Sequence, residues 1–180
     1  MGEPHEEFKR YRAQKEAAAG AATSELERVR EQYREAEAKY RSDLISILEA
    51  EGVEPWPFYR MTDTRWSRLR QRNTVFYERA AIGWPTEYVK ELDGHSYYTL
   101  LSFTGERYYS HGLLRVTGPS REPCKGLDYG DGWSIYGEPG VSGWETATTV
   151  EGLKYYLPGL SATALNAEAL RAIEIAEKLR

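Results

Sequence analysis

LERVREQYREAEAKYRSDLISIL, residues 26–48, is the stretch that decides how this chain is built. Leu26, Val29, Tyr33, Ala36 and Tyr40 recur at alternating steps of three and four, which places them on one stripe of an α-helix. The next strict heptad position holds Asp43, and the stripe moves instead to Leu44, Ile47 and Leu48. That drift follows the period of a straight helix lying on a globular body rather than that of a long supercoil. Two uses of the stripe remain open. Leu26 to Tyr40 is an oligomer seam of coiled-coil type against another chain, or a face docked on the chain's own fold. The 44–51 end is expected to pack on the chain's own β-domain, leaving 4–40 as the part free to meet something else.

Working outward, residues 3–51 are rich in Glu, Arg, Ala and Gln, all good helix formers. Gly20 to Ser24 is a weak point, and Ser24 followed by Glu27 has the spacing of a capping box at a helix start. The region therefore reads as two helices, over 4–19 and 25–51, or as one helix with a soft joint. Glu35–Lys39 and Glu37–Arg41 stand at i,i+4 with the acid first, the favourable order. Gly52 is placed to end the helix in the left-handed conformation, and Pro55 and Pro57 prevent resumption.

Beyond it, residues 53–59 read as an extended aromatic linker, and Asp63 is placed to cap a short helix over 64–72. Residues 74–82 suit a strand or a second helical segment. Trp84-Pro85 starts another short element that ends before Gly94. From His95 the period changes to two. His95 to Phe103 and Glu106 to Thr117 flank Thr104-Gly105, so 95–117 reads as a β-hairpin with a bulge at Gly112. Dense Gly and Pro over 118–152 imply loops with short strands near Trp133–Tyr136 and Gly143–Thr149. A last helix from Ser161 buries Leu165, Ala169, Ile173, Ala176 and Leu179. The expected fold is α+β: a helical extension over 1–52, then a domain over 53–180 with a small antiparallel sheet and a C-terminal helix, 161–180, packed on it.

The chain has 180 residues, a net charge of −4 and one cysteine, Cys124. No apolar run is long enough to span a bilayer, and Glu3, Glu6 and Glu7 stand where a secretory signal would be basic and apolar. A lone cysteine fits a reducing compartment, so a cytoplasmic setting without membrane partners is expected. The mild charge argues against a DNA mimic or a protein that coats nucleic acid.

Charge is nevertheless segregated: residues 60–79 carry six arginines against Asp63 and Glu78. On a helix over 64–72, Arg65, Arg68 and Arg72 share a face at i, i+3 and i+7 beside Trp66, an arrangement able to grip phosphates and stack on bases. The competing explanation pairs these cations with the acidic N-terminal helix. Tyr129, Trp133, Tyr136 and Trp144 lie in the glycine-rich stretch, where aromatic faces suit sugars, peptides or flat ligands, or simply fill the core of a small β-domain.

Chemistry is harder to place. The histidines, His5, His95 and His111, lack metal-ligand spacing, and Asp128-Tyr-Gly-Asp131-Gly132 lacks the remaining ligands of a calcium loop. Cys124 has no histidine near it in sequence, and no phosphate-cradling or dinucleotide motif occurs, so neither metal nor cofactor is expected. His95, His111, Asp128, Asp131 and Glu145 are the first places for acid/base work, by loop position alone. The sequence therefore leans away from an enzyme and toward a non-enzymatic binding or assembly protein. Such a protein self-associates or docks on a protein partner through its N-terminal helix, and meets a macromolecule through aromatic and arginine-rich surfaces. A phage-type structural, adaptor or inhibitor protein has this form. The alternatives are a nucleic-acid-binding regulator using the 60–79 segment, and a small hydrolase or transferase.

Overall fold

The computed structural model describes residues 4–67, 72–92, 95–111, 132–135 and 138–179. The fold is α+β: a long N-terminal helix, a β-sheet region built of hairpins, and a C-terminal helix packed on the sheet. The elements are α1 (Pro4–Ala50), β1 (Trp56–Ser67), β2 (Arg72–Leu92), β3 (His95–Ser102), β4 (Arg107–His111), β5 (Trp133–Ile135), α2 (Val150–Tyr156) and α3 (Ala162–Leu179). Among these residues no helix is long and apolar enough to cross a membrane.

Of the two readings of the Gly20–Ser24 region, the continuous helix is the one observed. Gly20 costs helix stability, but it stands among alanines, and the Thr23 hydroxyl donates to the Ala19 carbonyl 3.0 Å away. At the other end, Gly52 adopts φ 68°. Its N–H donates to the Glu49 carbonyl and that of Val53 to the Leu48 carbonyl, each at 3.0 Å, the paired bonds of a Schellman stop. Val53 is buried, as the residue after such a stop commonly is.

The chain forms two compact units that divide α1 between Lys39 and Tyr40, not at the helix end. The first unit joins residues 1–39 to 142–161. Val29 and Tyr33 are buried with Trp144 and Leu153, and Leu26, Ala147, Val150 and Leu160 pack around them. The stripe expected to be free for a partner is thus covered at Val29 and Tyr33 by a later segment of the same chain. Gly143–Thr146, expected to belong to a strand, forms a 3₁₀ turn, after which Thr149 caps α2 by accepting from the Gly152 N–H at 3.0 Å.

The second unit, 40–141 with 162–180, is a closed five-stranded barrel with the end of α1 and all of α3. Successive strands β1 to β4 pair antiparallel, and β5 completes the circle, parallel to β1 (Phe58↔Trp133) and antiparallel to β4 (Ser110↔Ile135). β2 serves two partners. Gly83 pairs with Trp56 on one side and Ser102 on the other, and a Cβ there would run into the Leu101 carbonyl and the Ser102 backbone. Only glycine lets the strands approach so closely at this corner. Phe58, Leu100, Tyr108, Trp133 and Ile135 fill the interior, and α3 lies against β2.

Two expectations fail here. Residues 64–67 are strand, not the start of a helix capped by Asp63, with Arg65 opposite Thr74 and Trp66 opposite Asn73. Trp84-Pro85 lies inside β2 rather than opening a helix. In both places antiparallel pairing with the next strand, 72–75 for residues 64–67 and 100–101 for Trp84-Pro85, overrides local helix signals. Pro85 is tolerated because it stands past the last β1 pair and at a shift in the β2–β3 register, where a missing N–H breaks no ladder. The linker expected over 53–59 becomes strand from Trp56. Residues 112–117 of the expected hairpin, with the bulge at Gly112, lie outside the described residues.

Candidate functional site

Residues 4–25 of α1 are exposed on every face, whereas Val29, Tyr33, Tyr40, Leu44 and Leu48 are buried. Such a helix rests on propensity and side-chain pairs instead of packing, and the pairs are present: Lys9–Glu6 at 3.0 Å and Arg12–Glu16 at 2.8 Å. Phe8 and Tyr11 are both more than half exposed. They belong to a line already in use further along. Tyr11 precedes Val29 by 18 residues, five full turns, so it stands above Val29 on the same side of the helix. Ala18 and Ala22 fall between them. The stripe that unit 1 covers at Val29 and Tyr33 therefore continues, uncovered, to Phe8.

Where the stripe is covered, the contacts are specific. The Tyr33 ring lies 5.0 Å from Trp144 and meets Tyr156 edge-on at 6.5 Å. The Glu37 carboxylate accepts from the Ser142 hydroxyl at 2.7 Å and from the Trp144 indole N–H, and Arg30 donates to the Ala147 carbonyl at 2.7 Å. Burial, then the neighbouring Glu37 carboxylate and Tyr156, push the Tyr33 hydroxyl up to about 12. Of the expected seam, Leu26 and Ala36 are half-buried and Tyr40 is buried in the second unit. Tyr155, at 80 % exposure, Tyr156 and Leu157 form an apolar edge beside this cover. Sequence reading passed over it, although three consecutive apolar residues before Pro158-Gly159 were a visible signal.

In the barrel unit, a row of rings runs from the exposed Tyr88 through Tyr98 to the buried Trp133 and then Trp56, with centroids 5.4, 4.7 and 6.0 Å apart. The Trp133 indole N–H and the Ser110 hydroxyl are buried with no hydrogen-bond partner. Burial raises the Tyr98 hydroxyl above its ordinary value. A second buried cluster is polar. Glu168 on α3 accepts two bonds from Arg107 on β4, at 2.7 and 3.3 Å, and one from the Tyr40 hydroxyl at 2.8 Å. Burial opposes its ionisation, but Arg107, Tyr40 and Thr86 outweigh that and hold its carboxyl below the usual range. Tyr40 is pushed up by burial and by the same carboxylate.

The residues picked out from sequence are dispersed among these settings. Trp144 belongs to the core of the first unit and Trp133 to that of the second, while Trp66 on β1 is 60 % exposed. Arg65 stands on β1 and Arg72 on β2, opposite Ser67, so the helical spacing that united them with Arg68 does not exist; their side chains, and Arg68, Tyr129 and Tyr136 altogether, lie outside the described residues. His95 and His111 stand on adjacent strands, His111 opposite Tyr97, whereas Asp128, Asp131 and Cys124 are outside the description. Glu145 accepts from the Ser142 N–H at 3.0 Å, which closes the 3₁₀ turn. Among the described residues no group of three or more His, Cys, Asp or Glu is placed to hold a metal. No family model, no curated protein and no solved structure matches this chain.

Proposed function

We propose that this chain is a binding and assembly protein that docks onto a macromolecular partner through residues 4–25 of α1, with Phe8 and Tyr11 as anchors. The observation that carries the reading is the complete exposure of those residues on a helix whose following turns bury the same stripe. Helices are stabilised mainly by burying one face, and a segment without cover gains stability from a partner that supplies it. Large aromatic side chains are the residues that most often dominate such contacts. Trp66, exposed on β1 within the arginine-bearing 60–79 segment, offers a second surface of the same character.

The test compares the full chain with a chain lacking residues 1–24, each immobilised and exposed to extract from the source cells. The proposal expects a defined protein, a second copy of the chain included, to be retained by the full chain and lost by the shortened one. Among the described residues no buried side chain is removed, so both forms are expected to fold. Equal retention by the two forms, or none by either, rules the reading out.

A further inference from the structure

The occupant of this helical surface is written in its charges. Glu7, Tyr11 and Lys15 are spaced four residues apart and so form one row on the exposed helix. Of the neighbouring charges, Lys9 is used by Glu6 and Arg12 by Glu16, and Arg10 lies off the row. Among the described residues neither Glu7 nor Lys15 has an ion-pair partner. Phe8 and Ala18 flank the row at i,i+3 from Tyr11 and Lys15 respectively, one large and one small.

This deepens the reading of residues 4–25 as a docking surface, on which it rests: we infer that the partner is a second copy of the chain, paired antiparallel across a two-fold axis at Tyr11. An antiparallel copy centred there brings Glu7 opposite the second copy's Lys15, and Lys15 opposite its Glu7, satisfying both charges twice over. Tyr11 then meets its own counterpart, and Phe8 falls level with the second copy's Gln14. A parallel copy in register would set Glu7 against Glu7 and Lys15 against Lys15, which is repulsive. The arrangement is isologous and closed, so it stops at a dimer. The same helical line is occupied by Trp144 and Leu153 at Val29 and Tyr33, which confines the contact to the turns before Leu26.

Sedimentation equilibrium over a range of concentrations tests the inference on the full chain and on three variants. The wild type is expected to dimerise reversibly. Glu7→Lys and Lys15→Glu, each of which replaces two attractions by two repulsions, are expected to weaken the dimer roughly tenfold or more. The double variant Glu7→Lys/Lys15→Glu restores the wild-type dissociation constant, because the opposed pairs are merely exchanged. Far-ultraviolet circular dichroism checks that each variant keeps its helix. A dimer indifferent to the single changes overturns the antiparallel pairing, as does a double variant as weak as either single one. A wild type that stays monomeric also overturns it; if retention from extract still depends on residues 1–24, docking survives with a different protein as partner.

Discussion

Replacing Glu168 by alanine is the perturbation whose cost the structure fixes most closely. The carboxylate joins α3 to β4 through Arg107 and to α1 through Tyr40, all within the barrel unit. Its side chain is 10 % exposed and that of Arg107 21 %, so solvent screens the pair little. Removing the acid leaves a guanidinium with its two bonds gone and a buried hydroxyl without its acceptor. Stripping one partner from a buried ion pair costs about 3–5 kcal/mol, a large part of a typical domain's stability. Glu168→Gln keeps the volume and one acceptor oxygen but loses the charge and turns the other oxygen into a donor, so about 1.5–3 kcal/mol is expected. Urea unfolding followed by circular dichroism measures both, with the slope unchanged. In the double variant Glu168→Ala/Arg107→Ala the losses are far from additive, since both changes remove the same ion pair. A Glu168→Ala cost under about 1 kcal/mol, or additive losses, refutes the assignment of this cluster as the tie between α3 and the barrel. The pH dependence has a definite sign. Because the folded-state value lies below the unfolded one, the contribution is complete above the ordinary carboxylate value of 4.5 and disappears as pH falls through the lower folded value.

Other outcomes follow from the same contacts. Gly83→Ala pushes a methyl group into the Leu101 carbonyl and is expected to cost about 3 kcal/mol or more, read as a lowered urea midpoint; a neutral result would show that the β2 corner can open. Glu37→Ala leaves the Trp144 indole N–H and the Ser142 hydroxyl without their acceptor, a loss of about 1–3 kcal/mol. Limited proteolysis should then cut within 142–161 sooner than in the wild type. Tyr33, raised to about 12 from 10.0, stabilises the fold below pH 10, and that contribution declines as pH rises toward the folded value. Spectrophotometric titration of wild type and Tyr33→Phe should differ by one late-ionising phenol.

Much of the fold was legible because its signals are local. The stripe from Leu26 to Leu48, the Gly52 stop, the Thr104-Gly105 turn and the apolar face of α3 each lie within a few helical turns or one hairpin. Residues 64–67 misled because an arginine-rich segment has sound helix propensity and shows no turn signal as plain as Thr104-Gly105, although the pairing that decides it, with residues 72–75, is close in sequence. Closure of the barrel was equally hidden: it depends on the three-residue β5 finding β1 across a long span of sequence. The site was legible by halves. Trp133 and Trp144 are aromatic in composition but end in two separate cores, a fate that residue type alone does not decide. The stripe was visible from Leu26 onward, yet its continuation to Tyr11 and Phe8 passes through Ala22, Ala18 and Lys15, which carry too little apolar signal to mark a face. What covers Val29 is supplied by residues more than a hundred positions away.

Disulfide trapping at the exposed turns tests the central claim most directly, with Cys124 replaced by serine so that only introduced thiols react. The account predicts that Tyr11→Cys forms a covalent dimer on mild oxidation. It also predicts that Glu7→Cys and Lys15→Cys cross-link efficiently when the two variants are mixed but poorly when each is alone. Equal cross-linking of Glu7→Cys and Lys15→Cys with themselves, or no cross-linking at any of the three positions, would contradict it.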